Sequence, residues 1–177
     1  MVTEFKQDNI FDTERLLVRR LISTDIGPFH EMQGNIEVMK YAGGKANSME
    51  EDIKDLAYVM GCYDKPDNDF WVWAAVDKGR EECIGTIALV KDKEENWEIG
   101  FRLPQSQWGK GYATELVEGL IKLCESIDGL DNIIAYVDLR NVGSQKVLSK
   151  TGFVNLGIKY NDEEDCEDYI YSVSTRG

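Results

Sequence analysis

Histidine is almost missing from this chain: His30 is the single one in 177 residues. One imidazole excludes any site built on two, and His30 falls in an expected helix with no motif around it, so it reads as structural. The four cysteines, Cys62, Cys83, Cys124 and Cys166, stand far apart. Neither zinc-ligand spacing nor a compact disulfide framework is present; reduced thiols and no metal are expected. No apolar run approaches the roughly 20 residues that span a bilayer, and no N-terminal stretch has the pattern of a secretory leader. The expectation is a cytoplasmic protein with no membrane partner.

Basic residues are also scarce, 20 against 33 acidic ones, for a net charge of −13. That balance repels phosphate backbones, so no nucleic-acid partner is expected. It reads first as serving solubility, with attraction of a cationic substrate as the alternative. A nucleotide-triphosphate loop is lacking too, because "GGK" at Gly43 to Lys45 has neither the upstream glycine nor the following hydroxyl residue.

What remains is enough chain for one sizeable core, and we read a single domain over residues 1–177. "ERLLVRRL" from Glu14 reads as a strand, and Ser23, Thr24 and Asp25 offer caps for a helix over "DIGPFHEM". Asn35 offers a cap for a further turn, stopped at Gly43 and Gly44. Ser48 and Glu51 have capping-box spacing; the helix they open is expected to end at Gly61 and to turn Met49, Ile53, Leu56, Ala57 and Met60 inward.

"FWVWAAV", "ECIGTIALV" and "WEIGFRL" are strand-like runs with short polar connections, which favours antiparallel neighbours. "YATELVEGLIKLCESI" is an amphipathic helix, with Ala113, Leu116, Val117, Leu120, Ile121, Cys124 and Ile127 on one face. "IIAYVD" is a buried-type strand, "NVGSQKVLSKTG" a short helix, and two strands around the acidic stretch Asn161 to Asp168 close the chain. The order implies a mixed α/β fold with one strand–helix–strand crossover from Trp97 to Asp138.

"QWGKGYATE", Gln107 to Glu115, joins the third of the central strands to the long helix. A helix N-terminus presents unpaired N–H groups and the positive end of the macrodipole. Gly109, Gly111 and Ala113 leave room for close approach, and Lys110 adds a cation, so the turn suits an anion. It reads equally as a tight turn that merely needs glycine. A dinucleotide fingerprint fits poorly, since Thr114 stands at the third small position and antiparallel runs precede the turn.

Four blocks in order carry a resemblance: "TERLLVRRL", "NIEVMKYAGG", "WEIGFRLPQSQWGKGYATE" and "LRNVGSQKVLSKTGF". The chain resembles the GNAT superfamily of acetyl-CoA-dependent N-acetyltransferases, in the branch that includes ribosomal-protein-alanine and polyamine N-acetyltransferases. The resemblance implies a mostly antiparallel central sheet flanked by helices, with a parallel strand pair, here Trp97 to Leu103 and Ile133 to Asp138, splayed to admit the cofactor. It implies that Trp108, Gly109, Lys110, Gly111, Tyr112, Ala113 and Thr114 hold the pyrophosphate. Phe101, Arg102 and Leu103 would pair through their backbone with the pantetheine amides. Trp108 departs from the family, which often has Gln or Arg there.

The resemblance further implies acetyl transfer from acetyl-CoA to a primary amine, by direct attack in a ternary complex. The acceptor is a protein N-terminus, a polyamine or another small amine. The amine must first lose a proton, since lysine-type amines have a pKa of ~10.4 and α-amino groups one of ~8. Glu98, on the cofactor-facing strand, is the candidate base, and equally reads as an outward strand carboxylate. Ser144 matches a serine beside the thioester and is the candidate acid or sulfur-positioning group. Asn141 matches a residue that bonds the pantetheine arm. Ser144 could instead be a helix cap. Tyr136, Tyr160 and Tyr169 stand in reserve as acids, Tyr136 reading more as core. The alternative function is a non-catalytic acyl-CoA-binding or sensing module. Monomer and homodimer both remain open.

Overall fold

A computed structural model describes residues 3–162 and 165–176. Eight strands form one sheet: β1 (Asn9–Asp12), β2 (Leu16–Arg20), β3 (Phe70–Asp77), β4 (Glu82–Lys91), β5 (Trp97–Arg102), β6 (Asn132–Asp138), β7 (Val154–Asn161) and β8 (Cys166–Ser174). Their spatial order is β1-β2-β3-β4-β5-β6-β8-β7. Every neighbouring pair is antiparallel except β5 and β6. Five α-helices accompany the sheet: α1 (Ile26–Gln33), α2 (Ile36–Met39), α3 (Met49–Cys62), α4 (Tyr112–Glu125) and α5 (Val142–Lys150). The mixed, mostly antiparallel sheet and the crossover through α4 agree with the sequence pattern; a second crossover, from β6 through α5 to β7 with β8 between the two strands, exceeds the one expected, and β1 was not legible in the sequence.

Side chains of a strand alternate between the two faces of a sheet. On one face Leu16, Val18, Trp71, Trp73, Ile87, Leu89, Ile99 and Ile133 are buried and build the core. The apolar stripe of α4 joins it, with Leu116, Val117, Leu120 and Cys124 fully buried. Burial stabilises each such large apolar side chain by roughly 1.5–3 kcal/mol. Of the stripe expected for α4, Ala113 alone stays partly exposed. No helix among the described residues is long and apolar enough to cross a membrane.

Helix α3 corrects two expectations. Ser48 and Glu51 do form the capping box, but Gly61 lies within the helix, which ends at Cys62 with Tyr63 in right-handed geometry. Met49, Ile53 and Ala57 face outward, whereas Asp52, Leu56, Val59 and Cys62 face in. The reason is Asp52, fully buried, whose carboxylate lies 2.5 Å from His30 Nδ1 and accepts from Gln33 Nε2 at 3.0 Å and Asn47 Nδ2 at 2.9 Å. Turning the apolar stripe inward would strip a carboxylate of its partners or bury it elsewhere unpaired, a larger cost than exposing three apolar side chains. His30 is thereby structural, as expected.

Candidate active site

The two parallel strands part. Glu98 opposite Ile134 is the one register pair between β5 and β6, although β5 pairs with β4 from Trp97 to Arg102 and β6 pairs with β8 from Asn132 to Asp138. Beyond Glu98, therefore, the facing edges carry no ladder. Unpaired strand edges offer N–H and C=O groups to an extended amide chain. The gap opens toward the carboxyl ends of both strands, where β5 leads to α4 and β6 leads to α5. Two helix N-termini thus border the wide end of the gap.

At the first, Gly109 and Gly111 have φ of +73° and +82°, in the left-handed region that side chains disfavour. A Cβ on Gly109 would meet nothing within 4 Å, so the backbone conformation, and not crowding, requires glycine there. The first protein-bound N–H of the helix is that of Glu115, which donates to the Gly111 carbonyl at 3.1 Å. The six N–H groups from Gly109 to Thr114 have no protein acceptor among the described residues. Successive free N–H groups at a left-handed turn and helix start make an anion seat.

Side chains from distant strands surround this turn. The Trp108 indole donates to the Leu103 carbonyl at 2.9 Å, and Lys110 Nζ donates to Gln107 Oε1 at 3.1 Å. Asp77 Oδ2 accepts from the Tyr112 hydroxyl at 2.7 Å and from Arg80 Nη2 at 3.2 Å. Tyr112 and Arg80 together hold the Asp77 carboxyl down to about 2, and Asp77 in turn raises the Tyr112 phenol. Arg15 and Glu115 form an ion pair at 2.6 Å on the other side. Asp77, Arg80, Arg15 and Glu115 escaped the sequence reading. Their spacing along the chain, up to 100 residues, carries no local signal, although Arg15 and Glu115 both lie in the quoted blocks.

At the second N-terminus, the Asn141 side-chain carbonyl accepts from the Ser144 N–H at 3.1 Å. Asn141 is thus the N-cap of α5, and Ser144 lies in its first turn with its hydroxyl free of that role. Asp138, at the end of β6, is held below the usual carboxylate range by the Arg140 side chain, 2.5 Å away.

Glu98 is half-buried where the ladder stops, between Val90 of β4 and Ile134 of β6. Gly100 and Arg102 share its face by alternation, whereas Phe101 belongs to the opposite face with Ile99. Arg102 Nη1 donates to Gln33 Oε1 at 2.6 Å, which ties β5 to α1. Leu103 follows the last residue of β5, is buried, and its carbonyl is already engaged by Trp108. Tyr136 differs from the core reading: it is half-buried and its hydroxyl donates to Asp92 Oδ2 at 3.0 Å. Burial and Asp92 both raise its phenol. Tyr160 is exposed, Tyr169 is half-buried, and part of the acidic stretch between them lies outside the described residues.

Residues 15–154 match the Acetyltransferase (GNAT) domain. Over 171 residues the chain is 26% identical to an uncharacterized N-acetyltransferase, YoaA, of Bacillus subtilis, covering 93% of this chain and 96% of that protein. A GNAT-family acetyltransferase crystal structure from Bacillus anthracis superposes with a TM-score of 0.81 at 25% identity, covering 93% and 98% of the two chains. The ribosomal-protein-S5-alanine acetyltransferase of Vibrio fischeri shares the fold, with a TM-score of 0.74 at 21% identity over 93% of this chain and 96% of that one.

Proposed function

This chain belongs to the GNAT acetyltransferase family, and on that premise we propose that it acetylates a primary amine, of a protein N-terminus, a polyamine or another small amine, by direct attack within a ternary complex in the cytoplasm. It is an N-acetyltransferase by family. The observation that carries the site assignment is the β5–β6 ladder, which closes at Glu98 and Ile134 alone and opens onto the unpaired N–H groups of Gly109 to Thr114.

Acetyl-CoA fits that geometry as cosubstrate and supplies the activated acetyl group as a thioester. Gly109, Lys110, Gly111, Tyr112, Ala113 and Thr114 hold its pyrophosphate by backbone N–H, with Trp108 fixing the turn to the end of β5. The edge of β5 that faces β6 at Phe101 and Arg102, and Asn141 through the amide Nδ2 that its capping leaves over, hold the pantetheine arm. Leu103 contributes less, having given its carbonyl to Trp108.

Glu98 receives the amine proton, directly or through water, and Ser144 supports the departing sulfur. The partial burial of Glu98 between Val90 and Ile134 supports a role in proton transfer. The net charge of −13 supports a cationic acceptor, which it concentrates at the surface.

Calorimetric titration with acetyl-CoA, followed by thiol release against amines and N-terminal peptides, tests the proposal. Micromolar binding with release on at least one amine is expected. Absence of binding overturns the site assignment, and binding without release on any amine overturns the acceptor class in favour of an acyl-CoA sensor.

A further inference from the structure

The turn from Gly109 to Thr114 makes no hydrogen bond of its own through those N–H groups, and two glycines in it lose much conformational freedom on ordering. Its shape is imposed from the hairpin that joins β1 to β2. Glu115 Oε1 accepts from the Thr13 hydroxyl at 2.6 Å and from the Arg15 backbone N–H at 2.7 Å, while Oε2 accepts from Arg15 Nε at 2.6 Å. The same guanidinium donates through Nη1 to the Lys110 carbonyl at 3.0 Å, and its carbon lies 4.4 Å from the centre of the Tyr112 ring.

One planar group therefore grips both sides of Gly111: the carbonyl before it and the carboxylate of the helical turn after it. The peptide joining Lys110 to Gly111 is trans, so its C=O and N–H point in opposite directions. Drawing the Lys110 carbonyl to Arg15 consequently directs the Gly111 N–H away from Arg15. A Cβ on Gly111 would lie 3.4 Å from Arg15 Nη2, ordinary contact, so φ alone requires glycine there. Arg15 and Glu115 neutralise one another, so the clamp contributes direction more than charge.

We propose that Thr13, Arg15 and Glu115 form a positioning clamp that aims the turn's N–H groups at the phosphates of the acetyl donor, with Arg15 as its central residue. This rests on the acetyl-CoA reading above. A lysine cannot replace Arg15, because an ammonium lacks the planar fork that reaches a carboxylate and a carbonyl together.

The test compares donors with and without phosphates. Arg15→Lys and Glu115→Gln are measured for calorimetric binding of coenzyme A and of pantetheine, and for KM with acetyl-CoA and with S-acetylpantetheine. Losing a charge-assisted bond of the clamp is expected to weaken coenzyme A about tenfold more than pantetheine, with the same ratio between the two KM values. Equal losses for both ligands would reveal a general structural role, and no loss for either would remove the clamp from donor binding; each result overturns the proposal. If the wild-type protein binds no coenzyme A, the acetyl-transfer reading fails first and the clamp falls with it. A wild type that binds beside an unaffected Arg15→Lys sinks the clamp alone.

Discussion

The indole Nε1 of Trp108 donates to the carbonyl of Leu103, 2.9 Å away. This bond staples the end of β5 to the glycine turn. Trp108 is also 45% exposed, so the ring is held by its polar atom more than by packing.

Trp108→Phe keeps an aromatic ring, though a smaller one, and deletes the bond. A net hydrogen bond is worth about 1 kcal/mol, so acetyl-CoA affinity is expected to fall several-fold with little change in melting temperature. Calorimetry beside a thermal melt checks this. An unchanged Kd means the staple does not shape the donor site.

Asn141 has two candidate duties that separate cleanly. Its carbonyl caps α5 through the Ser144 N–H, and its amide nitrogen remains for the pantetheine arm. Asn141→Asp preserves the cap and deletes the donor; Asn141→Ala deletes both. We expect the alanine variant to lose about 1 kcal/mol of stability and the aspartate variant almost none. Both should bind acetyl-CoA more weakly. An aspartate variant with wild-type affinity confines Asn141 to capping.

Glu98→Gln retains size and hydrogen-bonding capacity but cannot accept the amine proton. A loss of about 10²–10⁴ in kcat is expected, together with loss of the acidic limb of the pH–rate profile. Wild-type turnover at every pH would return Glu98 to a strand carboxylate. Ser144→Ala, assayed alongside, should slow the chemical step without moving Glu98's limb.

Asp77 supplies a prediction in acid. Its folded value of about 2 lies below the ordinary ~3.9. The stability it contributes is therefore complete above about pH 4 and is lost as pH falls through 2. Asp77→Asn should melt lower than wild type at pH 7, with the difference shrinking toward zero near pH 2. The variant should also loosen Tyr112, whose hydroxyl donates to Asp77. A melting difference independent of pH contradicts the account in which Tyr112 and Arg80 hold the carboxylate ionised.

Element types were readable because they follow from neighbours in sequence. The strand-like runs "FWVWAAV" and "ECIGTIALV", the 3.6-residue stripe of α4 and the Ser48–Glu51 capping box all appear where expected. The glycine turn was readable for the same reason: positive φ leaves few residues to choose from. Tertiary structure decided what depends on distant partners. Asp52 turned α3 away from the face its apolar stripe suggested, because a buried carboxylate needs donors and those donors come from His30, Gln33 and Asn47. The ladder between β5 and β6 is confined to Glu98 and Ile134, a parting of two strands that no local pattern encodes. Arg15 reaches Glu115 across 100 residues of chain, and no spacing rule connects them. Local patterning thus determined which residues form the glycine turn, and only the fold determined which side chains surround it.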